Sequence, residues 1–178
     1  MKILIVVDMQ NDFVSMALGT PEAQAIVPEV VKKIEEYKND KNDFIVFTRD
    51  THYSDYMETL EGKKLPVPHC IVGSEGWDII RELNVDETNP VVDKKTFGYE
   101  KWDALFKAFG IYYSQIDEIE LCGLCTDICV ISNALILRAL YPDKPIIVDA
   151  KCCAGVTPEK HKAALEVMKS CQIDVINE

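Results

Sequence analysis

The sequence lacks the long apolar runs that cross membranes or open secreted chains. No run approaches the roughly 18 consecutive apolar residues that a membrane-spanning helix needs. The first apolar run is limited to Ile3–Val7, because Asp8 follows it directly. We therefore expect neither a transmembrane segment nor a secretory signal peptide.

Positive charge is also in deficit. The chain carries 19 Lys and Arg residues against 30 Asp and Glu residues, which gives a formal net charge of −11. Nucleic-acid binding depends on basic residues that neutralise phosphates, and anionic membranes attract basic surfaces, so both kinds of partner are disfavoured. A small-molecule ligand remains compatible with this charge, because it responds to the local field of its pocket.

Cysteine is abundant, but the pattern of a disulfide framework is missing. The chain has seven cysteines, an odd number, and it is longer than the short secreted chains that disulfides stabilise. We expect reduced thiols and a cytoplasmic protein. The cysteines are Cys70, Cys122, Cys125, Cys129, Cys152, Cys153 and Cys171.

The overall composition is that of a folded domain. The chain has 178 residues, of which 48% are apolar, and this excludes a disordered or collagen-like protein. A chain of this length can bury a substantial core. Because no internal repeat, low-complexity segment or linker interrupts it, we expect a single domain over residues 1–178.

Short apolar runs alternate with helical patterns along the chain. The runs are rich in Ile and Val and mostly apolar on both faces, which is typical of strands covered on both sides in a parallel sheet. The candidate strands are Ile3–Val7, Phe44–Thr48, Val91–Asp93, Glu118–Cys122, Pro145–Asp149 and Asp174–Ile176. Helical spacing occurs over residues 25–38, 77–83, 101–109, 128–140 and 159–171.

This alternation predicts right-handed βαβ units and a doubly wound α/β domain with a mainly parallel, six-stranded sheet. Residues 128–140 are apolar enough for a buried helix, and Thr157-Pro158-Glu159 is a plausible start for the last helix. Residues 51–73 are predicted to form a long irregular segment, and such segments are often functional.

Polar residues follow four of the predicted strands. Asp8 follows the first strand, Asp50 and His52 the second, Lys94 the third and Gly123–Cys129 the fourth. Ligands of open α/β sheets bind beyond the carboxyl ends of the strands. The shared location of these residues at one sheet edge therefore predicts a functional site.

Cys129 is the candidate nucleophile of this site. It lies in the first turn of a predicted helix, where the helix dipole lowers a thiol pKa and peptide N–H groups can stabilise an oxyanion. Asp8 can take the thiol proton, and Lys94 can stabilise the thiolate. The alternatives are a buried apolar cysteine, a strand-capping aspartate and a solvated lysine.

Two of the three histidines suggest a metal site. Asp50 and His52 share one side of an extended segment, and His69 follows two prolines that restrict its loop. One carboxylate with two imidazoles suits Zn²⁺, Mn²⁺ or Fe²⁺. The alternative is a pair of hydrogen-bonded loop histidines. His161 lies in a polar part of the last helix and is predicted to lie at the surface.

Four segments, in this order, resemble the motifs of one known family. The opening motif and the nucleophile motif are similar to those of the isochorismatase-like cysteine hydrolases. The two segments between them resemble the metal-binding segments of the nicotinamidase branch. The four segments are Val6–Phe13, Thr48–His52, Pro68–Gly76 and Gly123–Val130.

The resemblance implies a three-layer α/β/α, Rossmann-like fold and a catalytic triad. The triad would be Asp8, Lys94 and Cys129, with Lys94 preferred to its neighbour Lys95. A non-proline cis peptide would precede Cys125, whose N–H would join that of Cys129 in an oxyanion hole.

The resemblance also implies a divalent metal ion and a fourth metal ligand. Asp50, His52 and His69 match the family's ligands, with Glu61 as the first choice for the fourth and Glu58 as the second. Substrate contacts would come from Phe13, Phe97 and Leu124. This sequence departs from the family pattern at Thr96-Phe97-Gly98, where a Ser-Ala-Phe is common, and at Leu65-Pro66-Val67, where several nicotinamidases carry a Trp.

These residues lead to three hypotheses. The first is a metal-dependent cysteine amidohydrolase that hydrolyses nicotinamide, as in NAD salvage, or a related aromatic amide. The second is a relative of the same fold that cleaves carbamoyl or ureido groups, or an isochorismatase-type hydrolase. The third is a non-catalytic binding or redox-sensing protein. Family members are often dimers or larger, and the sequence does not select an oligomeric state.

Overall fold

The computed structural model describes residues 1–178 and contains one six-stranded sheet in the order β3-β2-β1-β4-β5-β6. Every neighbouring pair of strands is parallel, as predicted. The strands are β1 (Lys2–Val7), β2 (Phe44–Asp50), β3 (Val91–Lys94), β4 (Glu118–Leu124), β5 (Ile146–Ala154) and β6 (Asp174–Ile176). Since the chain extends the sheet first on one side of β1 and then on the other, the boundary between β1 and β4 is its topological switch point.

Seven α-helices connect the strands. Because parallel crossovers are right-handed, the two halves of the sheet place their helices on opposite faces, which gives the three-layer arrangement. The helices are α1 (Asn11–Val14), α2 (Pro21–Ala25), α3 (Val27–Lys38), α4 (Leu60–Lys64), α5 (Trp102–Ala108), α6 (Ile131–Leu140) and α7 (Pro158–Ser170). No helix of this structure combines the length and the apolar content needed to cross a bilayer.

The sheet forms the centre of a core of 41 buried apolar residues. Every residue of Ile3–Val7 is at most 1% exposed, because helices cover β1 on both faces. This double burial explains why the strands are apolar at consecutive positions rather than at alternate ones.

Two predicted helices differ in the structure. Residues 25–38 are divided between α2 and α3, and Ile26 caps the second of them. Residues 77–83 contain only the end of one 3₁₀ turn, Glu75–Trp77, and another 3₁₀ turn, Arg81–Leu83. The chain between these turns is extended, because Ile79 forms a bridge with Gln10.

Two further segments also differ. The predicted helix 128–140 starts with a π-helical turn, Thr126–Val130, before α6 begins, and α6 is buried on one face only, since Leu140 is 40% exposed. The segment 51–73 is less irregular than predicted. It contains a 3₁₀ turn, Tyr56–Glu58, and helix α4, which the Thr59 side chain caps.

Candidate active site and metal centre

The carboxyl ends of four neighbouring strands bring the predicted site residues together. Asp50 is paired with Lys94 at the ends of β2 and β3, and Asp8 directly follows β1. The π-helical turn that contains Cys129 follows β4 after Cys125. The structure confirms that these residues gather at one sheet edge, and it places that edge next to the switch point.

Lys94 connects the other charged and thiol groups of the site. Its Nζ lies 2.5 Å from Asp8 Oδ2 and 3.4 Å from Cys129 Sγ. The same Nζ lies 3.5 Å from Asp50 Oδ1. Lys94 is 2% exposed, whereas its neighbour Lys95 is exposed and lies over the Tyr53 ring. The structure therefore places Lys94, and not Lys95, beside the acid and the thiol.

Burial and the neighbouring charges together set the protonation of Asp8, Lys94 and Cys129. Burial raises the pKa of Asp8 above its usual range, although Lys94 acts in the opposite direction. It also raises the pKa of the Cys129 thiol. The prediction that the helix start lowers this pKa is wrong in direction, because desolvation of the buried thiol outweighs the Lys94 charge. Burial alone would lower the pKa of Lys94, but Asp8, Cys129 and Asp50 raise it well above its usual range.

Thr48 fixes the orientation of the Asp8 carboxylate. The Thr48 hydroxyl donates a hydrogen bond to Asp8 Oδ1 at 2.6 Å and accepts one from the Asp8 N–H at 3.2 Å. Asp8 has a left-handed backbone conformation with φ of 48°, which turns the chain sharply as it leaves β1. One carboxylate oxygen therefore contacts Thr48 while the other faces Lys94.

Four side chains form a cluster suited to a divalent metal ion. Donor atoms of Asp50, His52, Glu61 and His69 all lie within 4.8 Å of one another. Asp50 Oδ2 lies 3.0 Å from His52 Nε2 and 3.6 Å from His69 Nε2. Glu61 Oε1 lies 3.6 Å from His52 Nε2 and 3.8 Å from His69 Nε2. Glu58, the second choice for the fourth ligand, is exposed on the adjacent turn and lies outside the cluster.

The chemistry of this donor set fits such an ion. Two carboxylates and two imidazoles are typical ligands of Zn²⁺, Mn²⁺ and Fe²⁺. Burial and the charge of Asp50 together raise the pKa of Glu61, and the charge of a bound cation would offset that repulsion. His69 Nδ1 lies 2.8 Å from the Val67 carbonyl, so Nε2 is the nitrogen free for a metal.

Two residues of the opening motif support the site, although their sequence positions predicted no role for them. Gln10 forms hydrogen bonds with both the N–H and the carbonyl of Asp50. Asp12 Oδ2 accepts a hydrogen bond from the Cys70 N–H at 2.7 Å and so holds the loop next to His69. Both are buried polar residues, yet burial cannot be read from their sequence positions.

The turn that carries Cys129 is held from two sides. Asn133 Nδ2 donates to the Cys129 carbonyl at 2.8 Å, and Thr126 Oγ1 lies 2.7 Å from His161 Nδ1. The prediction of a surface His161 is therefore wrong: the side chain is partly buried against this turn. The peptide bond between Leu124 and Cys125 is cis, as the resemblance implied.

A cavity of about 600 Å³ opens in front of Cys129. Asp50, Glu61 and His69 line it, and so does Cys125. The predicted substrate contacts Phe13, Phe97 and Leu124 also line this cavity. The Phe13 ring lies 5.5 Å from the His69 ring, so an aromatic wall adjoins the metal cluster.

Known proteins resemble this chain over nearly its whole length. A nicotinamidase of Schizosaccharomyces pombe is 27% identical over 98% of this chain and 92% of its own. The structure of a pyrazinamidase of Pyrococcus horikoshii in complex with zinc is 28% identical and covers 99% of both chains with a TM-score of 0.80. The nicotinamidase/pyrazinamidase structure of Bacillus subtilis is also 28% identical, over 99% of both chains, with a TM-score of 0.82.

These comparisons confirm both the fold and the resemblance seen in the four motifs. The family model of the isochorismatase domain matches residues 2–178, which is almost the entire chain. The chain therefore belongs to the isochorismatase family.

Proposed function

We propose that this chain is a metal-dependent cysteine amidohydrolase, whose substrate is nicotinamide or a related aromatic amide. The observation that carries the proposal is the position of Lys94 Nζ, which contacts Asp8, lies 3.4 Å from Cys129 Sγ and lies 3.5 Å from Asp50 Oδ1. One buried ammonium thus joins an acid, a thiol and a metal-type cluster. The relatives named nicotinamidase and pyrazinamidase support amide hydrolysis.

In the first step, Cys129 Sγ forms a bond to the amide carbonyl carbon while Asp8 takes the thiol proton. The raised pKa of Asp8 suits it to this exchange, because the carboxyl group can hold the proton until it is passed on. The Lys94 ammonium, next to both groups, stabilises negative charge on sulfur. Charge on the carbonyl oxygen would be stabilised by the N–H groups of Cys125 and Cys129.

In the second step, the carbon–nitrogen bond breaks and Asp8 gives its proton to the leaving nitrogen, which departs as ammonia. A thioester on Cys129 remains. Asp8 then takes a proton from water as the water oxygen adds to the thioester carbon. The carbon–sulfur bond breaks, the thiol regains a proton from Asp8, and the carboxylic acid leaves.

The metal cluster would position the substrate. Asp50, His52, Glu61 and His69 would hold Zn²⁺, Mn²⁺ or Fe²⁺. When bound, such a cation supplies Lewis-acid polarisation and a fixed point for a ring nitrogen. Phe13 contributes a ring face beside His69, which would align an aromatic amide toward Cys129.

Ammonia release and metal content, measured on one purified sample, test this proposal. The nitrogen-containing substrates are nicotinamide, pyrazinamide and a ureido compound. Isochorismate, a vinyl ether without nitrogen, is assayed separately by the pyruvate that its hydrolysis releases, and that release would support an isochorismatase-type hydrolase. We expect ammonia from the aromatic amides and a bound divalent metal. Ammonia from the ureido compound alone, with no bound metal, would support a carbamoyl-cleaving enzyme instead. If no substrate reacts, a binding or redox-sensing protein becomes the better hypothesis.

A further inference from the structure

The cavity is larger than the reaction centre requires. Its volume of about 600 Å³ lies within the range of roughly 300–1,000 Å³ in which pockets enclose drug-sized ligands. Cys129 is 4% exposed and His69 is 2% exposed, so both lie at the inner end. Leu60 and Val156 line the same cavity but are 71% and 40% exposed, so they mark its mouth. A single-ring amide that reaches Cys129 leaves this outer part unfilled.

Three lysines from separate segments line the cavity. Lys64 ends α4, Lys95 follows β3, and Lys160 lies in the first turn of α7. All three are exposed, and none has a carboxylate oxygen within 4.0 Å of its Nζ. The Lys95 Nζ lies 4.6 Å from the centroid of the Tyr53 ring. The three lysines are therefore available to a ligand.

The charge around the cavity is opposite to that of the whole protein. The only carboxylates that line it are Asp50 and Glu61, and both belong to the metal cluster. A divalent cation would neutralise that pair. The cavity would then carry a net positive charge from the three lysines. The chain as a whole carries −11. A cleft of one sign with apolar walls concentrates ligands of the opposite sign.

We infer that the preferred substrates are amides with an apolar body and a remote carboxylate, which pairs with Lys64, Lys95 and Lys160 while the amide reaches Cys129. The inference rests on the proposed function for the amide chemistry and adds the anionic group. Lysine suits this task, because its ammonium is a mobile point charge that can follow a carboxylate at an open mouth. The apolar residues between the two ends, such as Leu124 and Ile128, would contact the body of the substrate.

Two matched probes test the inference. One is a pyridine carboxamide with a carboxylate arm opposite the amide, and the other is its neutral methyl ester. Exposed ion pairs contribute about 1.5-fold to fivefold each, so three lysines should favour the acid by roughly tenfold in kcat/KM at low salt. The preference should shrink as added salt screens the charges.

Two pairs of lysine variants test which residues cause the preference for the acid. Lys64→Gln and Lys160→Gln should each reduce the ratio of kcat/KM for acid over ester. Lys63→Gln and Lys162→Gln make the same change of charge on the same two helices, but neither residue lines the cavity. These controls should keep the ratio of the unchanged protein.

Binding separates this inference from the proposed reaction. Affinities of both probes for the Cys129→Ala variant, measured by calorimetry, report the anion preference without hydrolysis. If the acid binds more tightly and the lysine variants remove the difference, the subsite is supported even when no amide is hydrolysed. Equal affinities for acid and ester, or equal effects of the cavity and control lysines, would overturn it.

Discussion

Gln10 holds Asp50 on both sides of its backbone. Gln10 Oε1 accepts a hydrogen bond from the Asp50 N–H at 2.7 Å, and Gln10 Nε2 donates to the Asp50 carbonyl at 2.9 Å. The same Nε2 donates to the Trp77 carbonyl at 2.8 Å. Gln10, which follows β1 and is fully buried, thus fixes Asp50, a candidate metal ligand at the end of β2.

Replacing Gln10 should weaken metal binding. Gln10→Met keeps a similar shape but removes both side-chain hydrogen bonds to the Asp50 peptide groups. Loss of such supporting contacts typically lowers metal affinity by about 10–100-fold. Zn²⁺ competition against a chromophoric chelator measures the change, and Gln24→Met, at an exposed position of α2, is the control. Equal affinities for the two variants would show that Asp50 does not depend on Gln10.

The identity of the fourth ligand can be tested by a matched pair of carboxylates. Glu61→Gln should lower the affinity for Zn²⁺ by at least about tenfold, whereas Glu58→Gln should not change it, because only Glu61 lies in the cluster. Ligand binding stabilises the folded state, so saturating Zn²⁺ should raise the melting temperature less in Glu61→Gln than in Glu58→Gln. A loss confined to Glu58→Gln would reverse the assignment.

Removing the proposed nucleophile, Cys129, should lower activity more than the changes above lower metal affinity. Cys129→Ala should reduce ammonia release from nicotinamide by at least about 10³-fold, because residues that act as one catalytic unit fail together. Cys171→Ala makes the same chemical change at an exposed thiol and should retain full activity. Substantial turnover by Cys129→Ala would exclude the thioester route, whereas a matching loss in Cys171→Ala would indicate damage unrelated to the site.

The sheet and the site edge could be predicted because their signals are local and repeated. Six apolar runs predicted six strands, and the polar residues that follow them identified the cluster at the carboxyl ends. The resemblance supplied Glu61, which no spacing rule would select from the acids of residues 51–73. The direction of the Cys129 pKa was missed, because its cause is burial by distant parts of the chain.

The errors have a common physical origin in long-range contacts. Residues 77–83 have helical spacing, but the Ile80 N–H donates to the Met9 carbonyl and the Asn11 N–H donates to the Asp78 carbonyl. These bonds hold the segment extended against the start of the first crossover. His161 lies between two lysines in sequence, which favours a surface position, yet its ring turns toward Thr126 on another element.

A buried ion cluster away from the site should govern stability. Lys33 Nζ lies 2.8 Å from Glu120 Oε1 and 2.9 Å from Asp149 Oδ2, and the Tyr37 hydroxyl donates to Glu120 Oε2 at 2.7 Å. Lys33→Met leaves two buried carboxylates without their cation, which typically costs about 3–5 kcal/mol.

Urea unfolding measures this cost, and the neighbouring helix position provides the control. The Lys32 side chain is 71% exposed and forms an ion pair with Glu36 at 3.8 Å, so Lys32→Met should change the free energy of unfolding by less than about 1 kcal/mol. Similar small losses in both variants would mean that the buried cluster contributes little to stability.

The contact of His161 with Thr126 predicts a pH dependence of stability. Burial lowers the pKa of His161 below its ordinary 6.5, and nearby Lys162 acts in the same direction, whereas Asp127 and Glu178 oppose it. The unfolded chain therefore binds the proton more readily than the folded one. The free energy of unfolding should fall as the pH drops through about 6.5, and the loss should level off below the folded pKa.

The His161→Gln variant isolates this contribution, because the other titrating groups cancel in the difference between the two proteins. At about pH 8 the variant should be less stable than the unchanged chain, since neutral His161 contacts Thr126. As the pH falls toward about 5, the difference should shrink, because the unchanged chain alone loses stability by protonation of this ring. Urea titrations at several pH values measure the difference. A difference that stays constant across this range would show that the His161 pKa is not lowered by folding.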